Sequence, residues 1–137
     1  MSENVDLVVA GFDAWNRQDL DGFLASLAPD VEFWTSGVFP DFDAVYRGHV
    51  GIAELWRRPH EPWDSLRADP EAIEELGDWV VYVFRFRAKG AGSGVDVDQR
   101  FANAAQVVND RVVRIVARRT LEEARQVALE GQPTGPV

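Results

Sequence analysis

Cysteine is absent from this chain of 137 residues. Disulfides and thiolate metal sites are therefore excluded, and nothing points to an oxidising compartment. Histidine occurs only twice, at His49 and His60. With scattered carboxylates and no recognisable ligand spacing, no metal site is expected, and no cofactor either. No apolar run approaches the roughly 20 residues of a membrane span. The acidic, polar start Ser2-Glu3-Asn4-Val5-Asp6 lacks the basic and apolar segments of a signal peptide. A cytoplasmic protein with no membrane partner is the expectation.

Basic residues are also in deficit: 14 Lys and Arg stand against 23 Asp and Glu, for a net charge of −9. Phosphate backbones repel such a chain, so no nucleic-acid partner is expected. The basic residues cluster. Between Arg85 and Arg119 there are eight of them against three acids, Asp96, Asp98 and Asp110. Either these arginines cover an exposed sheet face, or some point into a cavity that would take an anion.

Val5, Val8, Val9, Phe12 and Trp15 fall on one face of a helix. Ser2 is its expected N-cap and Arg17-Gln18 its end. Asp19 caps a short second helix through Leu20, Phe23, Leu24 and Leu27, which Pro29 stops. Val31 to Thr35 has strand composition. Gly48 to Arg58 is helical, broken by Pro59 and Pro62. Three long strands follow at Leu66–Leu76, Trp79–Lys89 and Val95–Val108. Asn109-Asp110 is a two-residue turn signal before a last strand, Arg111–Arg119. Thr120-Leu121-Glu122-Glu123 is a capping box for a helix ending at Gly131. Residues 1–131 are expected to form one domain and 132–137 a mobile tail.

Helices first and antiparallel strands after argue for an α+β domain with helices packed on one face of a curved sheet. The strand Trp79–Lys89 carries large residues on both faces. A sheet covered on one side only alternates apolar with polar. The second face therefore needs a cover, and a homodimer is the simplest one.

Ala14-Trp15-Asn16-Arg17-Gln18-Asp19-Leu20-Asp21-Gly22-Phe23-Leu24, followed by Leu27-Ala28-Pro29-Asp30-Val31-Glu32-Phe33, resembles the opening of nuclear transport factor 2-like (SnoaL-like) proteins. Tyr46-Arg47-Gly48-His49 resembles that family's glycine before its third helix, and Asn109 to Arg114 its final tight turn. The resemblance spans nearly the whole chain. It implies a cystatin-like, cone-shaped α+β barrel: a curved antiparallel sheet wrapped around N-terminal helices, often dimeric through the outer sheet face. The superfamily hosts isomerases, cyclases, dehydratases, epoxide hydrolases and non-enzymes, so fold alone gives no activity.

Ketosteroid isomerases need a tyrosine, an aspartate base and a protonated aspartic acid. Gapless alignment puts Gly11 and Thr35 at the first two places, and counting back from the final turn puts the third near Ala104, so that reaction is not expected. The His/Asp arrangement of the cyclases finds His49 at a helix start and His60 between prolines, neither on a pocket strand. The carboxylate–arginine set of the epoxide hydrolases is missing from Arg85-Phe86-Arg87 and from the last strand. Serines lack a histidine pattern for a nucleophilic triad.

The same alignment places Trp15, Phe33, Thr35 and Trp56 in the cone, with Trp63 as a lid. It adds Arg85, Arg100, Gln106 and Arg119 as the polar wall, and leaves Ala102, Ala104 and Ala117 to open volume. That composition suits a small hydrophobic or anionic molecule. Should strand parity differ by one, the arginines face solvent and Tyr82, Phe84 and Phe86 fill the pocket. Three functions stay open: a small-molecule-binding protein, a cyclase, isomerase or dehydratase with unfamiliar catalytic groups, and a dimeric interaction module.

Overall fold

The computed structural model describes residues 2–38, 42–60, 63–90 and 96–131, with the side chains of 58–60, 63–65, 90 and 96 outside that description. The expected tail, 132–137, lies outside the described residues. Helix α1 spans Glu3–Asn16 and α2 Leu20–Ala25. They are followed by β1 (Leu27–Trp34), β2 (Val45–Arg47), α3 (Gly48–His60), β3 (Trp63–Leu76), β4 (Trp79–Gly90), β5 (Asp96–Val108), β6 (Arg111–Arg118) and α4 (Leu121–Glu130). The six strands form one curved, unclosed sheet in the order β2-β1-β6-β5-β4-β3. Only β1 and β6 run parallel.

The caps follow local chemistry. Ser2 accepts from the Val5 amide and Asp19 from the Gly22 amide. Thr120 and Glu123 form a reciprocal capping box, which satisfies two amides that the helix leaves open. The Asn109-Asp110 turn carries φ of 51° and 61°, the left-handed pair that a tight two-residue hairpin requires. Strand β1 starts four residues before the expected Val31, at Leu27, because Pro29 fits a strand edge as well as a helix stop. The short strand β2 lies where only a motif was visible, pairing Tyr46 with Phe33.

Two apolar layers hold the sheet. The larger joins α1, α2 and α3 to the inner face, through Val8, Ile52 and Leu55 against Val80, Tyr82, Phe84, Ala105 and Ile115. Asn16 closes this layer at its edge. Its Nδ2 donates to the Ala68 carbonyl at 3.0 Å and its Oδ1 accepts from the Ala68 amide at 2.8 Å, so both backbone groups of a buried strand residue are satisfied. The second layer lies on the outer face. There α4 sets Ala124 and Ala128 on Trp79, Val81, Ala102, Ala104 and Val116. The homodimer expected from two-faced apolar strands loses that argument, because the chain covers much of its second face with its own last helix.

Candidate functional site

Between α1 and the inner face lies a cavity of about 360 Å³. Helix α1 lines it with Leu7, Gly11, Phe12 and Trp15, β4 with Tyr82, Phe84 and Phe86, and β5 with Gln99, Phe101, Asn103 and Ala105. Phe33, Val112 and Ile115 close the side formed by β1 and β6. Phe12 stands edge-on to Tyr82 at 5.3 Å and tilts on Phe84 at 5.5 Å, which fixes a wall of three rings. Among the described residues, none of the lining side chains carries a formal charge.

Tyr82 and Asn103 are cross-strand partners on β4 and β5, each only 5% exposed. Asn103 Nδ2 donates to Tyr82 Oη at 3.2 Å. Asn103 Oδ1 is buried and accepts no hydrogen bond. Burial pushes the Tyr82 phenol up to about 12, only partly offset by the Asn103 bond, so the ring stays neutral at ordinary pH. Ser26 also lines the cavity, with its hydroxyl donating to the Phe23 carbonyl at 2.8 Å.

The expected site residues divide. Trp15 and Phe33 line the cavity. Trp56 is buried one layer behind, its ring 5.0 Å from Trp15 and 5.2 Å from Phe23. Thr35 is buried outside the lining, where its Oγ1 donates to the Asp43 carbonyl at 2.7 Å and ties down the segment after β1. Trp63 begins β3 opposite Gly90, and its side chain lies outside the described residues. His49 Nε2 bonds the Leu27 carbonyl at 3.0 Å, a structural contact, and the His60 side chain is outside the description.

The polar wall is corrected. Arg85 and Arg100 lie outside the cone. Arg85 bonds Asp98 through Nε at 2.8 Å and Nη2 at 2.5 Å, and Arg100 bonds Glu71 through Nε at 2.6 Å. Gln106 donates to Asp78 at 3.1 Å beside the β3–β4 turn. Arg119 is exposed in a shallow polar recess with Ser36, Arg118 and Glu123. Ala102 and Ala104 face α4, not the cavity.

The physical reason is a β-bulge. From the tight turn, Val108 pairs Arg111 and Val107 pairs Val112, but Gln106 then pairs Arg114. Val113 is the extra residue. An unbroken ladder would set Ala104 opposite Ile115; the bulge sets Ala105 there instead, and every inward position of β5 and β4 shifts by one. Of the three isomerase places, Gly11 lines the cavity, while the β5 residue reaching inside is Asn103 rather than Ala104. One signal for this was present. Arg85 and Arg87 pair with Arg100 and Asp98, and such facing charges on adjacent strands mark a solvated face.

The curved, unclosed mixed sheet and its helices agree with what the comparisons define. The chain belongs to the SnoaL-like domain family, whose profile matches residues 8–115. A nuclear transport factor 2-like protein from Burkholderia thailandensis shares the fold at 25% identity, with 97% of this chain and 100% of that one covered and a TM-score of 0.76. One of unknown function from Burkholderia pseudomallei is 24% identical over 93% of this chain and 98% of its own, TM-score 0.76. TerC, co-crystallised with polyporic acid, is 19% identical over 93% and 99%, TM-score 0.76. No curated protein sequence matches the chain significantly.

Proposed function

We propose that the protein binds a neutral, largely apolar small molecule, of aromatic or fused-ring shape, in the cone. The observation that carries this is the cavity of about 360 Å³, lined by uncharged side chains and walled by Phe12, Phe84 and Phe101. A preformed apolar hollow with few polar groups is the usual form of a small-molecule site. The anion of the earlier expectation finds no cation among the described lining residues, and burying an unpaired carboxylate there would be strongly unfavourable. Acid–base turnover is not favoured either. Tyr82 holds its proton far above neutrality and Asn103 does not titrate. The co-crystallisation of TerC with polyporic acid supports a binding use for this fold.

Thermal-shift titration with biphenyl and biphenyl-4-carboxylate tests the reading. Biphenyl raises Tm, by linkage to the folded state, and the carboxylate does not. Gly11→Leu, which fills the hollow from α1, removes the shift. Arg100→Met, on the outer face, leaves it unchanged. Equal stabilisation by both compounds, or none by either, overturns the proposal.

A further inference from the structure

The polar pair in the cavity has unused hydrogen-bonding capacity of two kinds. Asn103 Oδ1 is an acceptor with no donor. Tyr82 Oη accepts from Asn103, which leaves the phenolic proton to be donated. Both side chains are 95% buried, by their exposure of 5%, and both line the hollow. Turning the amide by half a revolution exchanges the roles without changing their sum. Asn103 Oδ1 would then accept from Tyr82, leaving an amide N–H as the donor and the phenol oxygen as the acceptor. In either arrangement the pair keeps at least one unused donor and one unused acceptor on adjacent side chains, the second amide N–H adding a further donor.

Resting on the binding role proposed above, we propose that the ligand carries a hydroxyl group, a phenol or alcohol, that docks on the Tyr82–Asn103 pair and both donates and accepts there. A hydroxyl is the smallest group with both capacities on one atom. A ketone or ether oxygen only accepts, so it satisfies the donor and leaves the second group bare. An amine can match the count, but its protonated form is a cation, and among the described residues no carboxylate lines the cavity to meet it. The neighbouring surface fits a ring beyond the hydroxyl: Phe12 and Phe84 flank Tyr82, and Phe101 packs 5.9 Å from Phe84. The group is anchored at the Tyr82–Asn103 wall while its apolar body contacts these rings.

The discrimination follows from what is left unsatisfied. A site built for a hydroxyl penalises an analogue lacking it, because a buried donor or acceptor then stays bare.

Equilibrium dialysis of the full chain with biphenyl, 4-phenylphenol and 4-methoxybiphenyl tests the inference. The phenol lies between the other two in size, so bulk alone cannot imitate the expected order. 4-Phenylphenol binds about tenfold more tightly than either analogue. Tyr82→Phe and Asn103→Leu each bring the phenol down to the level of biphenyl, while biphenyl keeps its affinity within about threefold. Tyr82→Phe removes a single oxygen, so it answers the question even if Asn103→Leu does not fold. Equal binding of phenol and methyl ether by the native chain, or a preference that survives Tyr82→Phe, overturns the hydroxyl assignment and leaves the apolar site standing. Failure of all three compounds to bind overturns both.

Discussion

Tyr82 joins the packing of the cone to its response to pH. Its ordinary value is 10.0, and burial raises it to about 12 in the folded chain. The unfolded chain therefore loses this proton first as pH rises. The contribution is complete below about pH 10 and declines between 10 and 12, at about 1.4 kcal/mol per pH unit in that window. Urea midpoints for the native chain and Tyr82→Phe, measured from pH 8 to 12, check this. The native chain loses stability more steeply above pH 10, and parallel curves would show that the phenol is not buried. Asn103 shows why a single polar residue matters in such a wall. Alanines precede and follow it on β5, yet among the described lining residues it alone carries a buried side-chain carbonyl oxygen with no donor.

Helix α4 acts at the scale of the element. Its side toward the sheet is made of Ala124 and Ala128, small enough to let it lie close on Val81, Ala102 and Ala104. The close approach continues to its end. A Cβ added to Gly131 would stand 2.7 Å from Trp79 Cζ2 and 2.9 Å from Nε1. The φ of Gly131 is −83°, which any residue can adopt, so the glycine is required by space and not by conformation. Gly131→Ala is expected to destabilise by about 1–3 kcal/mol through overpacking against the indole, read as a lower urea midpoint with an unchanged slope. The indole emission of Trp79 should shift as well. An alanine variant as stable as the native chain would mean that α4 ends farther from the sheet. The Arg125–Glu74 ion pair ties the same helix to β3, and hydrogen bonding from the guanidinium holds the Glu74 carboxyl below the usual carboxylate range.

Across the whole molecule, charge is kept outside and aromatic surface inside. The outer face of β3, β4 and β5 carries a lattice in which Asp69 bonds Arg67 and Arg87, Asp98 bonds Arg85, and Glu71 bonds Arg100. Hydrogen bonds from these guanidinium groups hold Asp69, Glu71 and Asp98 below the ordinary carboxylate range. Depressed folded values mean that this stabilisation is present above the unfolded pKa, near 4, and is lost as pH falls further. Stability should therefore decline on acidification below about pH 4, with a smaller decline in Arg85→Met/Arg100→Met, followed by circular dichroism at low salt. An unchanged acid limb in that double variant would show that the lattice contributes nothing. These pairs are exposed, so added salt should weaken them.

How much was legible in the amino acids can be argued from particular strands. Helix caps at Ser2, Asp19 and Thr120, the Asn109-Asp110 turn, and the long strands around Tyr82 and Asn103 all follow from local rules. They depend on neighbours three or four residues apart. The α+β class and the wrapped sheet follow in turn from their order and from the family resemblance. The orientation of the pocket wall was not legible from spacing, because it depends on one inserted residue, Val113, in the β6 ladder. Both faces of β4 and β5 are apolar near their centre, with α1 over one and α4 over the other, so hydrophobic pattern could not choose between them. Sequence by itself determined the four helices and the long strands, and through the family resemblance implied that they enclose a hollow. Tertiary structure alone decided that Tyr82 and Asn103, rather than Arg85 and Arg100, face into it, since side-chain direction in a sheet has a period of two and a single bulge reverses it.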